Sequence, residues 1–171
     1  MIKSDIFFDN EIILQNEHSK LEPLTEVHYE HLLPIALHKE IWEFTGAKVK
    51  NEADFRRYFD TALTERKSGR SYPFAIFDKQ QNQYAGCTRY ANFSFADKRV
   101  EIGWTWYKPS LQRSGINKAT KILLLSFGFE KLDLNRFSGL TPAAVDRRSC
   151  FVGRLSGECY RVKPAHLEME V

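Results

Sequence analysis

The stretch from Glu101 to Leu125 constrains this chain most, because its hydrophobic period changes once and abruptly. Val100, Ile102, Trp104 and Trp106 alternate with Glu101, Gly103 and Thr105, the pattern of a strand with two distinct faces. Pro109 has no N–H to give to a ladder, so the strand stops near Lys108. Gln112–Asn117 then forms a turn. From Ile116 onward, Ile122, Leu123, Leu124, Phe127 and Leu134 follow at roughly helical spacing. The first amides of such a helix have no acceptor within it and point out of its positive end. Gly115 allows a backbone approach that a side chain would block, and Arg113 and Lys118 add full charges beside the amides. The turn predicts an anion cradle suited to a diphosphate. An ordinary strand-to-helix loop would carry a glycine just as readily.

The elements around this stretch read in order. Ile12–Gln15 and Lys20–Pro23 are short strand segments. A helix begins after Leu24, with Thr25 at its N-cap. His28 and His31 lie three apart on it; a metal needs further ligands, none is evident, and both read as solvent-facing. Lys39–Gly46 is aromatic-rich. Asn51 caps a second helix whose apolar face is Phe55, Tyr58, Phe59, Ala62 and Leu63, and Ser68-Gly69 ends it. Residues 71–107 predict three antiparallel strands joined by short turns, with Gly86 marking a bulge or a close contact. After the long helix, a strand near Arg136–Leu140 runs parallel to the one at 100–107, as a strand–helix–strand crossover requires.

Composition removes several classes. With 43% hydrophobic and 13% aromatic residues in 171, the chain fits one domain, 1–171, with a proper core. A net charge of +3 is too mild for nucleic acid, although Arg147, Arg148, Arg154 and Arg161 are clustered late in the chain. Cys87, Cys150 and Cys159 have no metal-type spacing and read as free thiols. The start, Met1-Ile-Lys-Ser-Asp5, has no long apolar run, so no signal peptide is expected, and no apolar run of ~20 residues is present to span a membrane. A cytoplasmic protein is expected. The oligomeric state stays open, a homodimer included.

Glu101-Ile-Gly-Trp104, Pro109, Gln112-Arg-Ser-Gly-Ile-Asn117 and the leucine-rich run after it resemble the GNAT superfamily of acetyl-CoA-dependent N-acetyltransferases. The likeness is closest to the RimJ/RimL-like branch of ribosomal-protein N-terminal acetyltransferases, and it holds over roughly residues 10–140. Gln112–Asn117 matches the superfamily's Gln/Arg-x-x-Gly-x-Gly/Ala loop, with Asn117 departing at the last position.

The resemblance implies an α+β fold: a mostly antiparallel twisted sheet with one parallel crossover and helices on both faces. It implies acetyl-CoA as co-substrate, no metal, and a primary amine as acceptor, either a protein N-terminus or a small molecule. The cofactor would be held by Trp106, Tyr107, Gln112, Arg113, Ser114, Gly115, Ile116, Asn117, Lys118 and Asp146. An oxyanion donor would be a backbone N–H around Trp106 or Tyr107. Trp42 and Phe44 would wall the acceptor pocket, or else simply pack in the core. Glu101 would be the base or the start of a water relay, or else a surface acid. Ser149 would protonate the leaving sulfur, contact the cofactor, or sit idle on a helix.

The tail departs from the family pattern. Asp146 stands where the family carries an asparagine, and Gly153 falls where it runs a helix. Past Gly157 one strand fits, near Glu158–Lys163, so the final strands are expected to be incomplete. A catalytically silent acyl-CoA-binding protein is the alternative reading.

Overall fold

The computed structural model describes residues 7–43 and 45–138, and the backbone of three short strands at 145–146, 153–155 and 158–160. A seven-stranded sheet runs in chain order: β1 (Leu14–Gln15), β2 (Ser19–Pro23), β3 (Ser71–Asp78), β4 (Gln83–Ser94), β5 (Arg99–Tyr107), β6 (Arg136–Ser138) and β7 (Val145–Asp146). Every neighbouring pair is antiparallel except β5–β6, where Arg99, Val100 and Glu101 lie opposite Arg136, Phe137 and Ser138. That parallel pair needs a crossover. It is made by helix α3 (Ile116–Glu130), following α1 (Tyr29–Ala36) and α2 (Glu52–Lys67).

The sheet separates two cores. On one face, Val100, Ile102 and Tyr107 of β5 meet Ile116, Leu123, Leu124 and Phe127 of α3. On the other, Ala75, Cys87 and Trp106 meet Leu32 and Ile35 of α1 and Phe55, Phe59 and Ala62 of α2. Burying each large apolar side chain here contributes about 1.5–3 kcal/mol. α3 lies close on β6, since a Cβ added at Gly128 would come 2.2 Å from Phe137 Cζ. The helix stops at Glu130, so Leu134 reaches the core from the loop and not from a helical face. There its N–H donates to the Gly128 carbonyl at 2.9 Å.

Local chemistry explains the boundaries. Asn16 turns β1 into β2: its Oδ1 accepts from the N–H groups of His18 at 3.0 Å and Ser19 at 2.9 Å. Its Nδ2 also reaches the Ala119 carbonyl at 3.2 Å, tying this edge hairpin to the start of α3. Asn51 caps α2 by accepting the Asp54 N–H at 2.9 Å, and Gly69, at φ 70°, follows the helix end. The sequence expectation for His28 is corrected. After Thr25 the chain makes a 3-10 turn (Glu26–His28) that folds the imidazole inward. His28 is 4% exposed, and its Nδ1 takes the Thr25 N–H at 3.0 Å. His31 is exposed and packs on the Tyr84 ring at 4.9 Å.

Gly86 is both a bulge and a close contact. Between Ile76–Gly86 and Phe77–Tyr84 the register skips Ala85, and a Cβ at Gly86 would lie 2.0 Å from the Trp106 carbonyl oxygen. In the tail, β7 pairs with β6, and β8 (Gly153–Leu155) pairs with β9 (Glu158–Tyr160) as a separate ribbon. Gly153 thus opens a strand where the resemblance implies a helix, and β9 lies where one strand was expected past Gly157. Glycine's weakness as a helix former fits that outcome.

Candidate active site

β5 is not the regular strand that its alternation suggests. Gly103 faces Arg89 and Trp106 faces Cys87, so Trp104 and Thr105 together oppose Thr88. This is a β-bulge, and Trp104 takes a left-handed φ of 50°. The bulge moves the pleat on by one residue. Ile102 and Tyr107 therefore both belong to the α3 core, whereas Trp106 belongs to the α2 core. The single face expected for Val100, Ile102, Trp104 and Trp106 is split, and Trp104 is left 41% exposed at the break.

On the α2 face the aromatic residues enclose a cavity of about 400 Å3. Trp42, Tyr58, Trp104 and Trp106 line it, and Glu101 stands on its wall. The Trp42 ring lies 5.3 Å from Tyr58 and 5.7 Å from Trp106. Trp106 Nε1 donates to the Tyr58 hydroxyl at 3.2 Å, and Trp42 Nε1 donates to the Ala36 carbonyl at 2.6 Å. Burial pushes the Tyr58 phenol above its ordinary pKa. Glu101 is half-buried, with Oε2 accepting from Asn92 Nδ2 at 2.7 Å. Behind the rings lies Arg89, 2% exposed. Its guanidinium sits 5.2 Å from the Tyr58 ring and 5.1 Å from the Trp104 ring, and it pairs with Glu65 at 2.9 Å. Sequence reasoning missed Arg89, although a lone arginine in the apolar run Ala85–Ala91 was a visible signal. Phe44 lies outside the described residues.

On the α3 face the predicted turn is in place. A 3-10 turn (Pro109–Leu111) leads to extended Gln112, then Arg113 at φ 65° and Gly115 at φ 92°, which is the N-cap of α3. Ser114 Oγ donates to the Leu111 carbonyl at 2.7 Å, fixing the bend. The first helical bond of α3 joins the Ala119 N–H to the Gly115 carbonyl at 3.0 Å, so the amides before it lie at the helix end, that of Ile116 turned to Ser114 Oγ at 3.4 Å. Gln112, Arg113, Asn117 and Lys118 are exposed around that end, and Ile116 is buried beneath it. A Cβ at Gly115 would meet nothing within 4 Å. The glycine is required by its left-handed backbone, and the room in front of it is open.

A groove of about 330 Å3 runs between β5 and α3, past Asn117 in the first turn of the helix and then Tyr107, Lys121, Thr105, Trp104 and Gly103, while Ser114, Gly115 and Lys118 line a neighbouring cavity of about 830 Å3 that opens toward Asn16 and Asp78. The Tyr107 hydroxyl donates to Asn117 Oδ1 at 3.2 Å, and burial raises its pKa. Trp104 and Thr105 line both this groove and the aromatic cavity, so the two spaces meet at the bulge. Trp106, expected beside the cofactor, turns its indole to the aromatic side. Lys121 was not foreseen either. It is 6% exposed, its Nζ donates to Thr105 Oγ1 at 2.9 Å, and burial brings its pKa down to about 7. A lysine four residues after Asn117, on the helix stripe continued by Leu124 and Leu125, was the available hint. Asp146 contributes its backbone to β7; its side chain, and Ser149, lie outside the described residues. Cys87 is buried, its thiol pushed up to about 11, which keeps it unreactive.

Among the described residues there is no group of three or more side chains able to hold a metal ion, and no helix long and apolar enough to cross a membrane.

Comparison with known proteins follows this geometry. The model of the acetyltransferase (GNAT) domain matches residues 19–148. No curated protein matches. A solved GCN5-related N-acetyltransferase from Brucella melitensis is 23% identical with a TM-score of 0.65, over 75% of this chain and 59% of that one. RimL, a ribosomal L7/L12 alpha-N-protein acetyltransferase, superimposes in its apo form at 23% identity and a TM-score of 0.64, over 74% of this chain and 69% of that one. Its structure with coenzyme A gives 22% and 0.61, over 74% and 72%. This chain therefore spans about three fifths of the Brucella protein, and at such identities the likeness speaks for the fold. The family match covers most of the chain, which places it in the GNAT family of acetyltransferases.

Proposed function

We propose that this chain is an acetyl-CoA-dependent N-acetyltransferase, working as one domain in a reducing cytoplasm. It would pass the acetyl group to a primary amine by direct attack on the thioester. The observation that carries this reading is the meeting of two unlike cavities at the Trp104–Thr105 bulge. One reaches Asn117 in the first turn of α3, beside the exposed Arg113 and Lys118, and the other is walled by rings and one carboxylate.

The residues fit the co-substrate. Gly115 fronts open space at a cluster of helix-end amides, where a pyrophosphate gains from both the N–H groups and the dipole. The groove along β5 is a path for an extended pantetheine arm, and acetyl-CoA supplies the activated acetyl thioester.

The chain's own residues have distinct tasks. The rings of Trp42, Tyr58 and Trp106 exclude water and hold the amine's apolar surroundings, so nucleophile and carbonyl meet in fixed geometry. Glu101 takes the proton that the amine nitrogen loses as the amide forms. A backbone N–H near Trp106 or Tyr107 holds the carbonyl oxygen as charge grows on it. The acceptor is a protein N-terminus, as for RimL, an alpha-N-protein acetyltransferase, or a small amine.

The test combines calorimetric titration with acetyl-CoA and thiol release over a panel of peptides and small amines. Binding with amine-dependent release is expected. Binding without release from any amine would leave a silent acyl-CoA carrier instead, and no binding would end the reading.

A further inference from the structure

Lys121 is a buried ionisable group to which the scheme above gives no task. Among the described residues its hydrogen bond goes to a neutral hydroxyl, Thr105 Oγ1, which is itself 2.7 Å from Thr88 Oγ1. The described residues lining its groove include no carboxylate; the other titratable group facing it is Tyr107 of β5, and β4 contributes only the Thr88 hydroxyl. Burial without a counter-charge penalises the ammonium and brings the pKa to about 7. A methionine would fill the same space without that penalty, so packing gives no reason for a lysine here.

Position gives one. Thr105 belongs to the bulge and borders both cavities, which puts Lys121 Nζ one hydroxyl away from the seam where amine and thioester would meet.

Resting on the acetyl-transfer reading, we infer that Lys121 is the proton donor to the departing thiolate. The neutral amine nitrogen bonds to the acetyl carbon, and the proton it sheds goes to Glu101. The carbon–sulfur bond breaks with its electron pair on sulfur. An Nζ–H proton passes to that sulfur, directly or through the Thr105 hydroxyl, giving a free thiol and a neutral Lys121. Water in the groove then returns the proton. An amine that titrates near the working pH suits both halves of this cycle.

The test uses the purified chain, its Lys121→Met variant, acetyl-CoA and the best amine from the panel. Lys121→Met is expected to lose about 100-fold in kcat, in the range of general acid catalysis. Its affinity for CoA should stay within twofold, and its Tm should rise, as removal of a buried uncompensated cation predicts. Wild-type kcat should fall as pH rises through about 7, and the variant should lack that limb. In the ligand-free wild type, carbon NMR at Lys121 Cε should titrate near 7 and move upward when CoA thiolate is bound. A kcat loss below tenfold overturns the inference, as does a fall in Tm and CoA affinity that tracks kcat. A Cε midpoint unmoved by CoA also overturns it. Should wild type itself release no thiol with any amine, the transfer reading fails and takes this role with it. An active wild type beside an equally active variant removes Lys121 alone.

Discussion

The two faces of β5 are built on different principles. The α3 side is made of backbone: a glycine at φ 92°, a helix end and a loop of six consecutive residues. The α2 side is made of side chains brought from far apart in sequence, with Trp42, Tyr58, Arg89, Glu101 and Trp106 meeting through the sheet. A site written in backbone tolerates few residues at few positions. A site written in side chains owes its shape to packing, and its chemistry can vary ring by ring.

If the contrast is right, single substitutions should damage one side and spare the other. The largest effect is expected for Gly115→Val. The substituent enters the open space before the helix and also meets a left-handed backbone, which costs about 1–2 kcal/mol for an ordinary residue. Acetyl-CoA affinity should fall at least about 100-fold, or ~2.7 kcal/mol, while tryptophan fluorescence from the aromatic side stays native. Normal affinity would show that the cradle lies elsewhere.

Glu101→Gln comes next. It keeps a hydrogen-bonding group toward Asn92 but removes the base. Turnover should drop about tenfold or more with acetyl-CoA affinity unchanged, and undiminished turnover would retire Glu101 from that role.

A third prediction concerns stability. Lys121 has a folded pKa below its unfolded value, so between about 7 and the ordinary lysine range the unfolded chain binds more protons. Its contribution to stability therefore increases as pH rises through that window and is least favourable below it. Urea midpoints of wild type and Lys121→Met should converge as pH is raised from neutral toward 10. Parallel curves would mean that the lysine is solvated.

The smallest effect is expected for Tyr58→Phe. It removes the acceptor of the Trp106 indole N–H, about 1 kcal/mol. KM for the amine should rise a few-fold with kcat and cofactor affinity nearly constant. A change in acetyl-CoA affinity instead would break the division between the faces.

The same division decides what was legible in the sequence. Local signals carried the α3 side: Pro109 ending a strand, Gly115 opening a helix, and the change of period between them. The meander of β3 to β5 and the capping of α2 by Asn51 were readable for the same reason, since each depends on neighbours within a few residues. The bulge at Trp104–Thr105 was not, because the alternation of Val100 through Trp106 is unbroken on paper. What skips a residue is the register against Thr88 on another strand. His28 misled likewise: with no further metal ligands evident it read as solvent-facing, and a turn closed by the Thr25 N–H put the ring inside. Arg89 and Lys121 were hidden by the ordinary expectation that long cations snorkel to water.

The odd residue in β5 also sets a rule of parity. Before it, the residues at even positions look toward α3; beyond it, those at odd positions do, as Ile102 and Tyr107 record. Ironing the bulge out with every residue kept would leave each later side chain chemically intact yet exchange Trp106 and Tyr107 across the sheet, whereas taking out one of Trp104–Thr105 would restore plain alternation with both on their present sides. The partition between the two chambers is thus guarded by a count, and it holds only while the extra residue stays confined to the bulge.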